Sequence, residues 1–138
     1  MPDYTVSKAA EKNTARFGLW TKTTDATVTS AASIATTNDK VYLVRAYIVA
    51  CTEPTPTTNQ AGYTRVGLFK NIGGTLSLVG SVSAGTTIET DATWDATLAA
   101  SGTDIVVNVT GVAATTIVWH VQVDVMVVQN YADAFGPY

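Results

Sequence analysis

His120 is the only histidine in the chain and Cys51 the only cysteine. Acid–base or nucleophilic chemistry would therefore have to centre on one of two residues that are far apart in sequence. A Ser-His-Asp relay needs its histidine lodged between a hydroxyl and a carboxylate. Ser and Asp are plentiful, but His120 falls between Val118 and Gln122 on the outward side of an alternating pattern, where a plain polar strand residue is the simpler reading. Cys51 lies in an apolar run and reads as a buried, inert thiol. One histidine and one distant cysteine do not supply a zinc ligand set. Glu89, Asp91 and Asp95 are neighbours in sequence, yet their spacing is not that of an EF-hand, and they read as a solvated acidic loop. Gly73-Gly74 precedes a strand pattern and not a helix N-terminus, so the donor array of a phosphate cradle is absent. The expectation is no catalytic residue, no metal and no cofactor. Aromatic residues are the chemistry that remains. Trp20, Trp94, Tyr63 and Tyr131 could stack on sugar rings; for Trp20 and Trp94 the competing reading, a place in the core or at a subunit interface, is preferred. Trp119 faces the core by its alternation.

The elements that must position these residues are strands. From Ala15 onward the pattern has period two. Strands are expected at Arg16 to Thr21, Thr27 to Ile34, Lys40 to Thr52, Ala61 to Lys70, Thr75 to Val82, Thr86 to Thr90, Thr93 to Ala99, Ile105 to Thr110 and Thr116 to Gln129. Pro54 and Pro56 mark a loop, because proline cannot donate to a ladder. Asn71-Ile72-Gly73-Gly74 marks a hairpin turn, and Ala84-Gly85 another turn. Lys40–Thr52 is apolar on both faces, so it is central or covered on its second face by another subunit. Arg45 interrupts the odd-numbered face, which assigns Tyr42, Val44, Ala46, Ile48 and Ala50 to the core. Val41, Leu43, Tyr47 and Val49 are then the candidate self-association strand. Eight or nine short strands without a convincing helix imply an all-β fold: an antiparallel β-sandwich of jelly-roll type, with an up-and-down barrel as the alternative. The expected division is an N-terminal arm at 1–14, the sandwich at 15–130 and a C-terminal tail at 131–138.

Composition agrees with this division. The 138 residues suffice for one domain with a sizeable core. Only 14% are charged, about half the usual share, and Thr, Ser, Asn and Gly keep the surface wet. Residues 1–22 hold four of the eight basic residues, Lys8, Lys12, Arg16 and Lys22, against Asp3 and Glu11, while the rest holds four against nine acids. An acidic body argues against nucleic acid as a partner. The basic lead segment is the candidate partner-binding arm, with a solvated terminus as the alternative. No apolar leader is visible at the start, and the apolar runs are too short and interrupted to span a bilayer, so no membrane association is expected.

The succession Gly67-Leu68-Phe69-Lys70-Asn71-Ile72-Gly73-Gly74-Thr75-Leu76, Leu78-Val79-Gly80, Trp94-Asp95-Ala96-Thr97, Ile105 to Gly111 and Thr115 to Trp119 resembles a β-sandwich module of tailed-bacteriophage virion proteins. Such modules occur in tail fibres, head fibres and capsid decoration proteins. The resemblance covers about residues 20–129 and rests on strand and turn residues, not catalytic ones. It implies a homo-oligomer, a trimer in preference to a dimer, and no enzymatic role. A module with two short arms and no shaft suits a capsid decoration or cement protein. Such a protein would be made in the host bacterial cytoplasm and placed on the capsid surface, where it binds the major capsid protein or another virion protein. The alternative is a tail-fibre or head-fibre module that binds a receptor or a carbohydrate.

Overall fold

A computed structural model of the chain describes residues 14–55 and 58–130. Its strands are β1 (Thr14–Thr23), β2 (Thr29–Ala35), β3 (Lys40–Thr52), β4 (Gln60–Ile72), β5 (Thr75–Glu89), β6 (Asp95–Ser101), β7 (Asp104–Thr110) and β8 (Ile117–Gln129). They form two antiparallel sheets, one in the order β1-β8-β3-β4-β5 and one in the order β2-β7-β6. The expected all-β sandwich is therefore present. Its strand order does not confirm the jelly-roll type. A jelly roll distributes eight strands between two Greek keys, whereas here consecutive β3, β4 and β5 lie side by side and the strands divide five and three.

The core lies between the sheets. The even-numbered side chains of β3, from Tyr42 to Ala50, and the odd-numbered ones of β8, from Ile117 to Val125, are buried against Ala96 and Leu98 of β6 and Ile105, Val107 and Val109 of β7. Period-two alternation places each set on one face of its sheet, and the inward side of β3 is the one that Arg45 does not interrupt. Trp94 and Trp119 meet at the centre with ring centroids 5.9 Å apart and planes tilted by 51°, a favoured aromatic arrangement. The indole of Trp119 donates to Thr23 Oγ1 at 2.9 Å, tying β8 to the end of β1.

Glycines mark two different events. The β4–β5 turn is Gly73-Gly74 with φ of 62° and 82°, the left-handed pair that a two-residue hairpin turn needs. Gly85, by contrast, does not end a strand. β5 runs unbroken from Thr75 to Glu89 along β4, with register shifts at Thr64/Arg65 and Val66/Leu68. A Cβ at Gly85 would lie 2.9 Å from Thr64 Oγ1. The glycine that reads as a turn in sequence is thus a close approach beside a bulge, and the two short strands expected around it are one long one.

Arg65 links the sheets. It is buried on β4, and its guanidinium donates to Ala96 O on β6 at 2.7 Å, to Thr86 O on β5 at 2.6 Å and to Thr64 O at 3.0 Å. It also lies 4.9 Å from the ring centroid of Tyr63. Three carbonyls take up the donors that burial would otherwise orphan. Asn71 does similar work at the other end, where its Nδ2 donates to Thr36 Oγ1 at 2.9 Å and its main-chain carbonyl accepts from Asp39 N at 2.6 Å. Arg65→Met keeps the bulk and leaves those carbonyls unpaired, so it should destabilise the fold by about 2–4 kcal/mol in a chemical-denaturation series. Arg16→Met, which removes an exposed ion pair, should leave the transition nearly unmoved in the same series.

Candidate functional site

The outward face of the five-stranded sheet carries the features that sequence pattern singles out. Register places its side chains in rows that cross the strands. One row runs Ile88, Gly62, Val49, His120, Trp20 from β5 to β1. Another runs Val79, Leu68, Leu43, Met126. Between them lie a polar row, Thr86, Thr64, Tyr47, Gln122, Gly18, and a mixed row, Val66, Arg45, Asp124, Arg16. Many large apolar side chains of this face are open to solvent: Trp20 is 71% exposed, Ile88 69%, Met126 59% and Val49 58%.

Gly62 adds no side chain to its row, and the sheet is notched there. The notch is a groove of about 310 Å³ lined by Tyr47, Val49, Thr64, Thr86, Ile88 and His120, among others. Beside it, the indole of Trp20 stacks on the imidazole of His120, with centroids 4.5 Å apart and planes 10° from parallel. The groove brings together aromatic faces, one imidazole, an amide and hydroxyls; no carboxylate is among its lining residues. That set can hold an apolar or sugar-like surface by stacking and hydrogen bonding.

The structure distributes the expected site residues unevenly. Val41, Leu43, Tyr47 and Val49 share the outward face of β3, with Val41 and Leu43 half-buried and Tyr47 and Val49 exposed. Cys51 is half-buried on the same face, because the apolar run that holds it has one side turned out. Arg16 and Lys22 stand on β1. Arg16 binds Asp124 in bidentate fashion at 2.7 and 3.2 Å, and Lys22 binds Glu53 at 2.8 Å. The hydrogen bond to Asp124 raises the pKa of Arg16. Lys8, Lys12 and Tyr131 lie outside the described residues, as do the tail at 131–138 and all of the expected arm at 1–14 except Thr14, which begins β1.

Other candidates resolve into separate roles. Trp94 is buried in the core. Tyr63 is buried too, so it offers no stacking platform. Its hydroxyl donates to Glu89 at 2.6 Å. Asp91 accepts from Thr93 N and Thr93 Oγ1 at 3.0 and 2.6 Å, and Asp95 accepts from Ala96 N at 2.9 Å. The three carboxylates thus serve three different partners. Among the described residues, no group of three or more His, Cys, Asp and Glu side chains comes together, and no helix is long and apolar enough to cross a membrane. Sequence reasoning missed the importance of Gly62 and of the His120–Trp20 stack. The signal for both was the register between strands distant in sequence.

No family model matches the chain, and no curated protein does. Among solved structures, it is similar to the tailspike protein of Acinetobacter baumannii phage AM24, with a TM-score of 0.56 and 8% identity over 89% of this chain and 28% of that one. At that identity the likeness concerns the fold. A weaker likeness, TM-score 0.27 at 18% identity, joins 86% of the chain to 22% of the tailspike protein of Acinetobacter phage vB_ApiP_P1. The chain spans about a quarter of the length of these spike proteins.

Burial, and then the hydrogen bond to Glu89, push the Tyr63 hydroxyl well above the ordinary tyrosine value. An unfolded tyrosine ionises near pH ~10, while folded Tyr63 stays neutral. Its contribution is therefore complete below that pH and is lost as pH rises toward the folded value. Denaturant melts at rising alkaline pH should show stability falling more steeply for the native chain than for Tyr63→Phe.

Proposed function

We propose that the chain is a non-enzymatic structural domain of a tailed-phage virion, joined to its neighbours through the outward face of the five-stranded sheet. The observation that carries this reading is that face. Its exposed residues include two largely apolar rows that cross the strands, Ile88 to Trp20 and Val79 to Met126, and exposed apolar side chains grouped on one face mark contact surfaces. The fold likeness to a phage tailspike supports the virion setting.

Two positions on a particle are weighed, each on its own observation. The basic lead segment, Lys8, Lys12, Arg16 and Lys22, suits a decoration protein that grips the major capsid protein on the head. However, Arg16 and Lys22 are already paired within the domain, which halves the charge available for such a grip. The AM24 likeness, in which this fold forms part of a longer spike, favours a tail module. There the groove beside Trp20 is the place for a receptor or carbohydrate. We take the tail position as the leading reading. Gold-labelled antibody against the chain should decorate purified particles at the tail. Label on the head restores the decoration reading, and particles without label sink the virion assignment.

A further inference from the structure

We propose that the outward face of the five-stranded sheet binds a carboxylate-bearing glycan, with a sugar ring against the Trp20 indole at the Gly62 groove and the carboxylate on Arg45. The inference deepens the tail reading, on which it rests for its setting, by naming the chemistry that the groove takes.

Charge divides the molecule by face. Arg16, Lys22, Arg45 and Lys70 all stand exposed on the outward face. Among the described strand residues, Asp124 is the one acid there. The other described acids lie in connections, at the end of β5 or on the smaller sheet. Arg16 is bound to Asp124 and Lys22 to Glu53, but Arg45 and Lys70 make no ion pair among the described residues. Arg45 sits beside Asp124 in the register, yet both oxygens of that carboxylate are held by Arg16, at 2.7 and 3.2 Å. A chain of net charge −3 thus keeps positive charge without a counter-ion on the same face as its groove. An incoming carboxylate supplies the partner that Arg45 lacks, in the two-pronged geometry that a guanidinium favours.

The order of the rows selects a glycan among anions. Outward residues Val49, Tyr47 and Arg45 follow one another along β3, so Arg45 stands about 13 Å from the groove row. Between them lies the polar row Thr86, Thr64, Tyr47 and Gln122. An acidic sugar chain matches that succession: the C–H face of a ring stacks on an indole, its hydroxyls bond to hydroxyls and an amide, and its carboxylate takes the guanidinium. His120 backs the indole at a centroid distance of 4.5 Å. A platform held in place before the ligand arrives loses little entropy on binding. The groove of about 310 Å³ has no carboxylate in its lining, so no fixed charge there repels an anion. An acidic protein surface could also meet Arg45, but it offers no polyhydroxylated ring with an apolar face for the groove. The row from Val79 to Met126 stays free for neighbouring chains.

Binding of the full chain to a panel of immobilised bacterial polysaccharides tests the proposal. The panel holds polymers that contain uronic or other sugar acids, the same polymers after reduction of their carboxyl groups to alcohols, and polyglutamate. The expected result is retention on an acidic polysaccharide that weakens with salt and is lost on carboxyl reduction. Arg45→Gln should weaken that binding about tenfold and flatten its salt dependence. Trp20→Ala should weaken it by a similar factor and leave the salt dependence in place. Both side chains are exposed, so each variant should melt at the temperature of the native chain. No retention anywhere on the panel, equal retention on the reduced polymers, or either variant binding as the native chain does would overturn the proposal. Equal retention on polyglutamate would overturn it too, in favour of an acidic protein partner. Gold label at the tail from a chain that binds no acidic polysaccharide sinks this proposal and leaves the virion reading standing. An acidic polysaccharide bound by a chain that labels no particle does the reverse.

Discussion

The five-stranded sheet is apolar on both faces, and the three-stranded sheet can cover only one of them. That constraint follows from β3 and β8, which lie side by side near the middle of the larger sheet. Their inward residues are removed from water by β6 and β7, at a gain of about 1.5–3 kcal/mol for each large side chain. Their outward residues, Val49, Tyr47, Met126 and Val128 among them, have no second layer and remain exposed. A chain with few charges could mask that face with polar residues, and along the Thr86–Thr64–Tyr47–Gln122 row it does so. The charged row of Arg45, Asp124 and Arg16 lies beside it, and the rows beyond, Ile88 to Trp20 and Val79 to Met126, are left largely apolar.

Closure of the sandwich depends on a few buried polar groups placed where apolar packing ends. Arg65 serves carbonyls from both sheets, Asn71 holds the loop after β2, and Thr23 receives the Trp119 indole. Each makes at least one hydrogen bond, and Asn71 Oδ1 alone of these atoms is buried without a partner. Gly111 belongs to the same network: a Cβ there would lie 2.6 Å from Thr23 Oγ1, so the approach of the β7–β8 connection to the end of β1 requires a residue without one. Rigid ends make the outward face a fixed platform, and a fixed platform loses little entropy when it is covered.

This division of labour unites the fold with the proposed role. A catalytic site gathers titratable groups in one place. Among the described residues, carboxylates serve turn caps, a tyrosine hydroxyl and two ion pairs, and His120 is stacked on an indole. The chemistry concentrated on one surface is aromatic faces, aliphatic rows and the Arg16–Asp124 ion pair near the sheet edge. Repeated copies of such a surface suit a particle built from many identical parts, where modest contacts add up through multivalency.

Much was legible in the alternation of the chain. Period two determined that β3 and β8 are strands, and the interruption at Arg45 determined which side of β3 is inward, because one charge in an apolar row is cheap in water and costly in a core. The run of Gly73-Gly74 determined a tight hairpin. Other features were decided by tertiary structure alone. Gly85 became a bulge contact because β5 finds a partner in β4 along its full length, a pairing that outweighs the local turn signal. The chain order of the strands could not disclose that five gather in one sheet and three in the other. Nor could it disclose that Trp20, His120, Val49, Gly62 and Ile88 stand in one line, since register between distant strands is set by the packing of the whole and not by the neighbours of any one residue.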